Sequence, residues 1–527
     1  MRTPLVLAAL TTVLAAQEPI DTALNARLRE EGLKKSQVMR LVHELCDAHG
    51  PRLTASPTYK AAADWAVKRM QGWGLEARQE TWDFGHPGWS NQWCSAHVLE
   101  PYQDPVPVEV VAWTPSTKGL VKGATVALTL PDKPTAETLE AALSAVKDRV
   151  KGAVVMVGPH KVVPMDLKPR PLRQEEAALR ERFDPFREPM ARPGGPFGPA
   201  ASPAPGVLDA KVVSARIDAF LVEHKALVRV DDGRMWNGQI RAFNNRTYDL
   251  AKAVPTVVMR SEDFGRLWRL MEGGAQPRLA FEIRNTLHPE LTQGINVVGE
   301  LRGTEKPEEV VMLTAHLDSW HTATGATDNG ANCATMMEAL RLLKATGARP
   351  RRTIRVVLFD GEEQGLLGAT AYAKAHFGTP EAHSPEAANL VALFNMDGGA
   401  GQLRGLSLSA PKAAAVALHE ILVPWRDLGV VGAGWTRSRP AKPTSADVTV
   451  FTHHGLPAGG PGQDGLEYFN YTWHTNIDTY ERILPEDVSR SATVLASVTF
   501  HLANRPERLP RWKLEELPPL PKATAAQ

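Results

Sequence analysis

Val310-Val-Met-Leu-Thr-Ala-His-Leu-Asp-Ser319 decides the fold, because its apolar run stops at His316 and Asp318. Two later apolar runs, at residues 354–359 and 390–394, stop in the same way and are followed by Asp360, Glu362, Glu363, Asn395 and Asp397. Short β-branched runs bounded by polar residues indicate buried parallel strands. Catalytic and binding groups of open α/β sheets gather at the carboxyl ends of such strands, so we expect these side chains to meet.

Two more groups complete the candidate site, namely Asp328 in the loop 325–330 and His474 in the stretch 473–478. Singly, such residues have simpler interpretations, because an acidic pair at a helix start complements the helix dipole and Asp-Asn-Gly is commonly a turn. Together, two imidazoles and several carboxylates form a nitrogen and oxygen site suited to zinc. The residues therefore predict a metal-dependent hydrolase.

The order of these motifs resembles the di-zinc exopeptidases of the aminopeptidase and glutamate carboxypeptidase type (clan MH). The matching motifs are His-x-Asp-Ser at 316–319, Gly-Ala-x-Asp-Asn-Gly at 325–330, Glu-Glu-x-Gly-Leu-x-Gly at 362–368, Asn-x-Asp at 395–397 and His-Thr-x-x-Asp-Thr at 474–479. The step from Ser319 to Trp320 resembles the plasma glutamate carboxypeptidase branch. The resemblance spans residues 40–500 and is strongest between residues 294 and 483.

This resemblance implies two zinc ions per chain and a specific set of ligands. It assigns His316 and Asp397 to one ion, Glu363 and His474 to the other, and Asp328 to a bridging position. In relatives the bridging aspartate is followed by a cis peptide bond, so we expect one between Asp328 and Asn329.

The same resemblance gives roles to the neighbouring acids. Glu362, which we expect to open a helix, is the general base, since adjacent side chains point in different directions and Glu363 is already a ligand. Asp318 would accept the second ring N–H of His316, as acids behind metal ligands do. Asp478 is a weaker candidate for the same work near His474. We expect Trp320, Asp447 and Tyr471 to line the substrate pocket.

Length and composition predict several units in the chain. Its 527 residues exceed one ordinary domain of about 100–200 residues. We expect an α/β fold with a mixed, mostly parallel sheet flanked by helices, as in zinc exopeptidases, and an inserted β-rich domain of the protease-associated type. The expected divisions are a signal peptide at 1–16, an N-terminal helical part at 18–100, the insert at 101–290, the catalytic domain at 291–505 and an extended tail at 506–527.

One segment inside the insert, residues 163–206, is rich in proline and charge. Such composition buries too little apolar surface to order fully, so we expect a mobile surface loop there.

The net charge, the N-terminal residues and the cysteines indicate which partners and which location to expect. A net charge of +1 argues against nucleic acid or an anionic membrane as the main partner. Residues 1–16 have a positive start, an apolar middle and a small-residue cleavage site, which predicts a secreted or periplasmic protein. The three cysteines form no disulfide scaffold, although Cys46 and Cys94 are able to pair in an oxidising compartment. The sequence leaves a homodimer open.

The sequence favours an aminopeptidase acting on peptides, because no basic motif for a terminal carboxylate is evident. A dipeptidase or carboxypeptidase of the plasma glutamate carboxypeptidase type is the alternative. Two further possibilities share the fold, a non-catalytic binding protein like the transferrin-receptor relatives and a one-zinc acyltransferase like glutaminyl cyclase. The complete ligand set and the Glu362-Glu363 pair favour the hydrolase.

Overall fold

A computed structural model describes residues 18–189 and 204–521 of the chain. The predicted signal peptide lies outside the described residues. The strands are β1 (Glu76–Asp83), β2 (Gly88–Glu100), β3 (Asp104–Pro105), β4 (Val108–Val110), β5 (Val121–Thr129), β6 (Val154–Gly158), β7 (Val228–Asp232), β8 (Thr256–Met259), β9 (Arg278–His288), β10 (Gln293–Leu301), β11 (Lys306–His316), β12 (Arg352–Phe359), β13 (Leu390–Asn395), β14 (Leu403–Ser409), β15 (Gly432–Thr436) and β16 (Ala458–Gln463).

The α-helices lie between these strands and at both ends of the described chain. They are α1 (Thr22–Lys34), α2 (Val38–Val42), α3 (Pro57–Gly72), α4 (Ala136–Ser144), α5 (Glu176–Arg182), α6 (Ala210–Glu223), α7 (Ser261–Glu272), α8 (Ala331–Ala345), α9 (Leu367–Phe377), α10 (Lys412–Leu422), α11 (Val448–His453) and α12 (Pro485–Asn504).

The first sheet is mixed, which confirms the predicted fold class. Its strand order is β1-β10-β12-β11-β13-β16-β14-β15. The four strands β12, β11, β13 and β16 are parallel neighbours, whereas β1 and β10 are antiparallel to their neighbours at one edge. The predicted apolar runs form the parallel centre of this sheet.

Helices cover both faces of this sheet because its central strands are apolar on both sides. Along β11, Val311 and Leu313 pack into the cluster that includes α1, α3, α8 and α12, whereas Val310 and Met312 pack against α9 and α11. Successive side chains of a strand point to opposite faces, so a continuous apolar run supplies both cores. The parallel pairing sets His316 opposite Phe359, which brings the carboxyl ends of β11 and β12 to one edge.

A second sheet forms a separate unit with the order β3-β2-β9-β5-β6-β7-β8-β4. It begins with β2 at Gly88, earlier than the predicted boundary at residue 101, because β2 pairs along its length with β9. One face packs on α4 and α6, and the other forms a tryptophan-rich cluster that also takes in Leu53 and Trp320 from the first unit. The two units therefore share a core. The protease-associated identity of the insert stays a prediction.

The proline-rich segment departs from its predicted behaviour over residues 170–187. Residues 170–187, which we call the strap, contain helix α5 and lie against the first sheet. Leu179 and Phe183 of the strap are buried there with Val431. The prediction of a free surface loop was wrong for these residues, because composition counts only the apolar surface within a segment and not the groove that receives it.

Three further observations concern the cysteines, the tail and the helices of the described chain. Cys46 and Cys94 are both free, with Cys46 buried in the first unit and Cys94 in β2 of the second. The tail runs from residue 505 without a further α-helix as far as residue 521. Across residues 18–189 and 204–521, no helix combines the length and the apolarity that crossing a membrane demands.

Candidate metal centre

Acids and imidazoles from five segments meet at the carboxyl edge of the first sheet. The described residues include two groups whose ligand atoms lie within 4.8 Å of one another, His316 with Asp328 and Asp397, and Asp328 with Glu363 and His474. Asp328 belongs to both groups. Its Oδ1 lies 3.2 Å from His316 Nε2, and its Oδ2 lies 3.3 Å from His474 Nε2. The two groups therefore share one carboxylate that faces both imidazoles.

The outer ligands stand at similar distances. His316 Nε2 is 3.3 Å from Asp397 Oδ1, and His474 Nε2 is 3.0 Å from Glu363 Oε2. Each imidazole thus turns the same ring nitrogen towards two carboxylates. Sequence reasoning named all five residues, and the structure brings all five together.

The position of Asp328 is fixed by main-chain contacts of the loop that precedes α8. The Asp328–Asn329 peptide bond is cis, which confirms that expectation. Asp478 accepts hydrogen bonds from the Thr327 and Asp328 amides at 2.7 and 3.0 Å. Asp478 therefore holds the loop that carries Asp328. The expectation was different, because it placed the Asp478 carboxylate beside His474. Burial first, and then Asp328, raise the pKa of Asp478 to about 7.

Asp318 organises the site differently from the expectation. His316 Nδ1 lies 3.0 Å from the Asp318 carbonyl oxygen and 3.6 Å from its carboxylate, so the main-chain oxygen is the closer ring partner. The Asp318 carboxylate instead accepts hydrogen bonds from the Glu362 and Glu363 amides, both at 3.2 Å. One buried residue therefore orients an imidazole through its backbone and the acidic pair through its side chain.

The acidic pair lies in a turn, and α9 begins at Leu367 rather than at Glu362 as predicted. Trp320 Nε1 donates to Glu363 Oε2 at 2.6 Å, which fixes that carboxylate. Burial and Asp397 raise the pKa of Glu362 well above its ordinary value, and burial and Asp328 do the same for Glu363. Glu362 and Glu363 thus have different partners, which agrees with the prediction that one is a general base and the other a metal ligand.

The residues predicted to line the pocket have different positions. Trp320 is 6% exposed, donates to Glu363 and lines, as predicted, the small cavity that Asp328 and His474 also border. The Tyr471 hydroxyl accepts a hydrogen bond from Asn237 of the second unit at 2.8 Å, which makes it an interdomain contact. Asp447 is buried near Glu362, and neither of its carboxylate oxygens has a partner.

Sequence reasoning missed Tyr468, which lies three residues before Tyr471. Tyr468 is buried, and its hydroxyl lowers the pKa of Asp328. Burial, followed by Asp328 and Asp397, raises the pKa of Tyr468 well above its ordinary value. Two tyrosines in one loop carry no local signal that tells which of them faces the acids.

Two residues of the second unit were also missed, Arg241 and Phe243. The Phe243 ring lies 5.6 Å from that of His474 and 5.0 Å from that of Trp320. Arg241 Nε donates to the Trp473 carbonyl at 3.0 Å, and its charge interacts with Asp328. Burial lowers the pKa of Arg241 and also lowers the pKa of His474, to about 4. Nothing in the sequence around Arg241 connects it with a site assembled from a distant segment.

The donor set fits divalent cations. Asp328 Oδ2 and Glu363 Oε1 are buried carboxylate oxygens without a hydrogen-bond donor. Buried carboxylates are stable when they are paired or coordinate metal. Nitrogen and oxygen ligands without cysteine suit zinc with tetrahedral or slightly expanded coordination. The two ligand groups that share Asp328 are therefore a candidate site for divalent cations.

Comparison with known proteins agrees with this chemistry. Residues 296–499 match the family described as Peptidase family M28. Carboxypeptidase Q of Mus musculus is 30% identical over 258 residues, which cover 49% of this chain and 52% of that relative. A probable glutamate carboxypeptidase of Arthroderma benhamiae is 27% identical over 248 residues, which cover 42% of this chain and 32% of that relative. The chain thus spans about half the length of the carboxypeptidase Q relatives that it matches.

Solved structures show the same fold over most of the chain. A peptidase M28 precursor from Shewanella amazonensis SB2B has a TM-score of 0.64 at 23% identity and covers 94% of this chain and 98% of its own. A zinc aminopeptidase from Bacillus subtilis has a TM-score of 0.54 at 15% identity, with 91% and 97% covered.

Proposed function

Because residues 296–499 match the model of Peptidase family M28, we propose that the protein is a zinc-dependent exopeptidase of this family that removes N-terminal residues from short peptides. The observation that carries this proposal is Asp328, whose two oxygens face two separate imidazole and carboxylate pairs. Two bound zinc ions would be held by His316, Asp328 and Asp397 on one side and by Asp328, Glu363 and His474 on the other.

Bound ions would supply the positive charge that makes a water acidic and a peptide carbonyl electrophilic. The protein supplies the proton transfers. Glu363 is assigned as a metal ligand and Glu362 is not. The Glu362 amide donates a hydrogen bond to the Asp318 carboxylate, which fixes the main chain at this residue. A glutamate fixed beside the ligands can take the proton of the attacking water and return it to the leaving amine.

Tyr468 would act on the carbonyl oxygen of the substrate. Its hydroxyl is a donor in a buried setting close to Asp328. A positioned donor in a water-poor site stabilises the charge that develops on the carbonyl oxygen of the substrate. Tyr468 thus has the place and the chemistry of an oxyanion donor.

Asp447 supports the choice of a free amino terminus. Its carboxylate is buried near Glu362 and leaves both oxygens without a protein donor. An ammonium group carries three donors and would satisfy such a carboxylate. We therefore assign Asp447 to the substrate amine, which agrees with its predicted place in the pocket.

A dipeptidase or carboxypeptidase is the second candidate, and Arg241 favours it. Arg241 brings a positive charge to the Asp328 side of the site. A guanidinium binds carboxylates with two parallel hydrogen bonds, so Arg241 is suited to the free carboxyl terminus of a short substrate. With Asp447 at the amine and Arg241 at the carboxylate, a dipeptide would engage both ends. Export from the cytoplasm, from the predicted signal, is part of the same proposal.

The test is a matched panel made of one dipeptide in free, N-acetylated and C-amidated forms. An aminopeptidase cleaves the amidated form and not the acetylated one, whereas a dipeptidase needs both ends free. Arg241→Gln should abolish any preference for a free carboxyl terminus, and Arg246→Gln is the control because Arg246 is an exposed arginine of the same segment. Equal cleavage of acetylated and free substrate, or cuts within a folded protein, would exclude exopeptidase action at a free amine.

A further inference from the structure

The strap lies in a segment of the chain, which we call the excursion, that connects residue 161 to residue 208 of the second unit. Before the excursion, Lys161 Nζ binds Asp132 Oδ1 at 2.7 Å. After it, the Leu208 amide donates to the Pro134 carbonyl at 2.8 Å. Asp132 and Pro134 belong to one loop, so the ends of the excursion are neighbours.

The strap fits a groove of the first sheet whose floor lacks side chains. A Cβ atom added to Gly405 would lie 2.5 Å from the Phe183 ring, and one added to Gly434 would lie 2.8 Å from the Arg182 carbonyl. Both distances are shorter than any ordinary contact. Phe183 and Leu179 are each 1% exposed in this groove. Glycines in these strands therefore create the space that the strap fills.

Polar contacts of the strap converge on the segment 463–466. Arg173 Nη1 lies 3.1 Å from Asp464 Oδ2 and also binds Asp487. The Gln174 amide donates to Asp464 Oδ1 at 2.9 Å, and the Leu466 amide donates to the Leu172 carbonyl at 2.9 Å. Three consecutive strap residues thus hold this segment.

The held segment leads directly to Tyr468. The Tyr468 amide donates to the Gly465 carbonyl at 2.9 Å, so the tyrosine begins the turn that the strap anchors. On its other side the ring packs closely over Gly399, two residues after Asp397. The position of the Tyr468 hydroxyl therefore depends on the turn and on the ligand-bearing loop.

We propose that the strap positions Tyr468 for the reaction, with Arg173 as the positioning residue that acts through Asp464. This inference rests on the proposed function, in which Tyr468 stabilises the charge on the substrate oxygen. Removal of such a donor typically lowers kcat by about 10²–10³-fold. A misplaced donor retains part of that effect, so Arg173→Gln should lower kcat about tenfold with little change in KM and in zinc content.

The experiment compares Arg173→Gln with Arg170→Gln, because Arg170 is an exposed arginine of the same strap. Each substitution is made in the full chain and again in a Tyr468→Phe background. If Arg173 acts through Tyr468, Arg173→Gln lowers kcat in the wild-type background. In the Tyr468→Phe background it causes no further loss of kcat. An equal loss in both backgrounds, or no loss in either, would overturn the proposal.

Amide hydrogen exchange supplies a readout that does not depend on activity. In Arg173→Gln, exchange of residues 463–468 should accelerate, while Arg170→Gln should match the wild type. Unchanged exchange at these amides overturns the positioning role even if the wild-type protein cleaves no peptide. An inactive wild-type protein with accelerated exchange in the variant would instead count against the proposed function alone.

Discussion

Arg52→Met should weaken the protein at the loop that carries the metal ligands. Arg52 is fully buried, and its guanidinium donates to the carbonyl oxygens of Leu317 at 2.7 Å, Thr324 at 2.7 Å and Gly325 at 2.9 Å. These residues flank Asp318 and lead into Asp328. Methionine fills part of the same space and leaves the Leu317 and Thr324 carbonyl groups without this donor, while the Gly325 carbonyl keeps the Gly330 amide at 3.0 Å.

The magnitude follows from these bonds. A hydrogen bond to a charged donor contributes about 1.5–3 kcal/mol, and a stranded buried carbonyl costs about 1–3 kcal/mol. With partial relaxation, we expect Arg52→Met to lower the free energy of unfolding of the metal-free protein by about 3–5 kcal/mol. Because the loop is then less ordered, zinc affinity should also fall, by the factor of about 10–100 typical of residues behind metal ligands.

Arg352→Met is the matched control. Arg352 is equally buried and donates to the carbonyl oxygens of Ala503 and Pro506, at 3.3 and 3.4 Å, and to Glu309. It should lose comparable stability and keep wild-type zinc affinity. The assays are urea unfolding of the metal-free proteins and zinc titration against a competing chelator. A loss below about 1 kcal/mol for Arg52→Met, or equal zinc affinity in the two variants, would refute the reasoning.

Other predictions address the site and a distant ion cluster. Glu362→Gln should retain zinc and lower kcat by about 10²–10⁴-fold, and near-normal turnover would remove its role as base. Trp320→Phe should weaken zinc binding, since it deletes the donor to Glu363; unchanged affinity would contradict this. Burial opposes a charge on His376, but Glu386 and Glu80 raise its pKa to about 9. Its stabilising effect is therefore full below pH 6.5 and lost as the pH rises through 9. The difference in urea midpoint between wild type and His376→Gln should shrink between pH 6 and pH 9.5, and a constant difference would argue against this ion cluster.

The sequence predicts the centre of the fold and the ligands well because both depend on local patterns. The runs ending at His316, Phe359 and Asn395 are continuous and apolar, and parallel strands of this kind bring their ends to one edge. Each ligand directly follows a strand or lies in a short motif. Register and motif together therefore identify the site without knowledge of the rest of the chain.

The remaining features depend on contacts between distant segments. Arg241 reaches the site only because residues 237–241 pair with residues 471–476, as in the bond of the Asn476 amide to the Ile240 carbonyl at 3.0 Å. The strap is ordered by a glycine-floored groove more than 200 residues away, which local composition does not reveal. The main-chain partners of Asp318 and Asp478 likewise follow from the tertiary structure rather than from any motif.

The most direct test of the account is the zinc stoichiometry of purified protein, measured for the wild type, Asp328→Ala and Glu362→Gln. The account predicts two zinc ions per chain in the wild type and in Glu362→Gln, with loss of both in Asp328→Ala because that carboxylate faces both imidazoles. Full peptidase activity in excess chelator, or two zinc ions retained by Asp328→Ala, would contradict it.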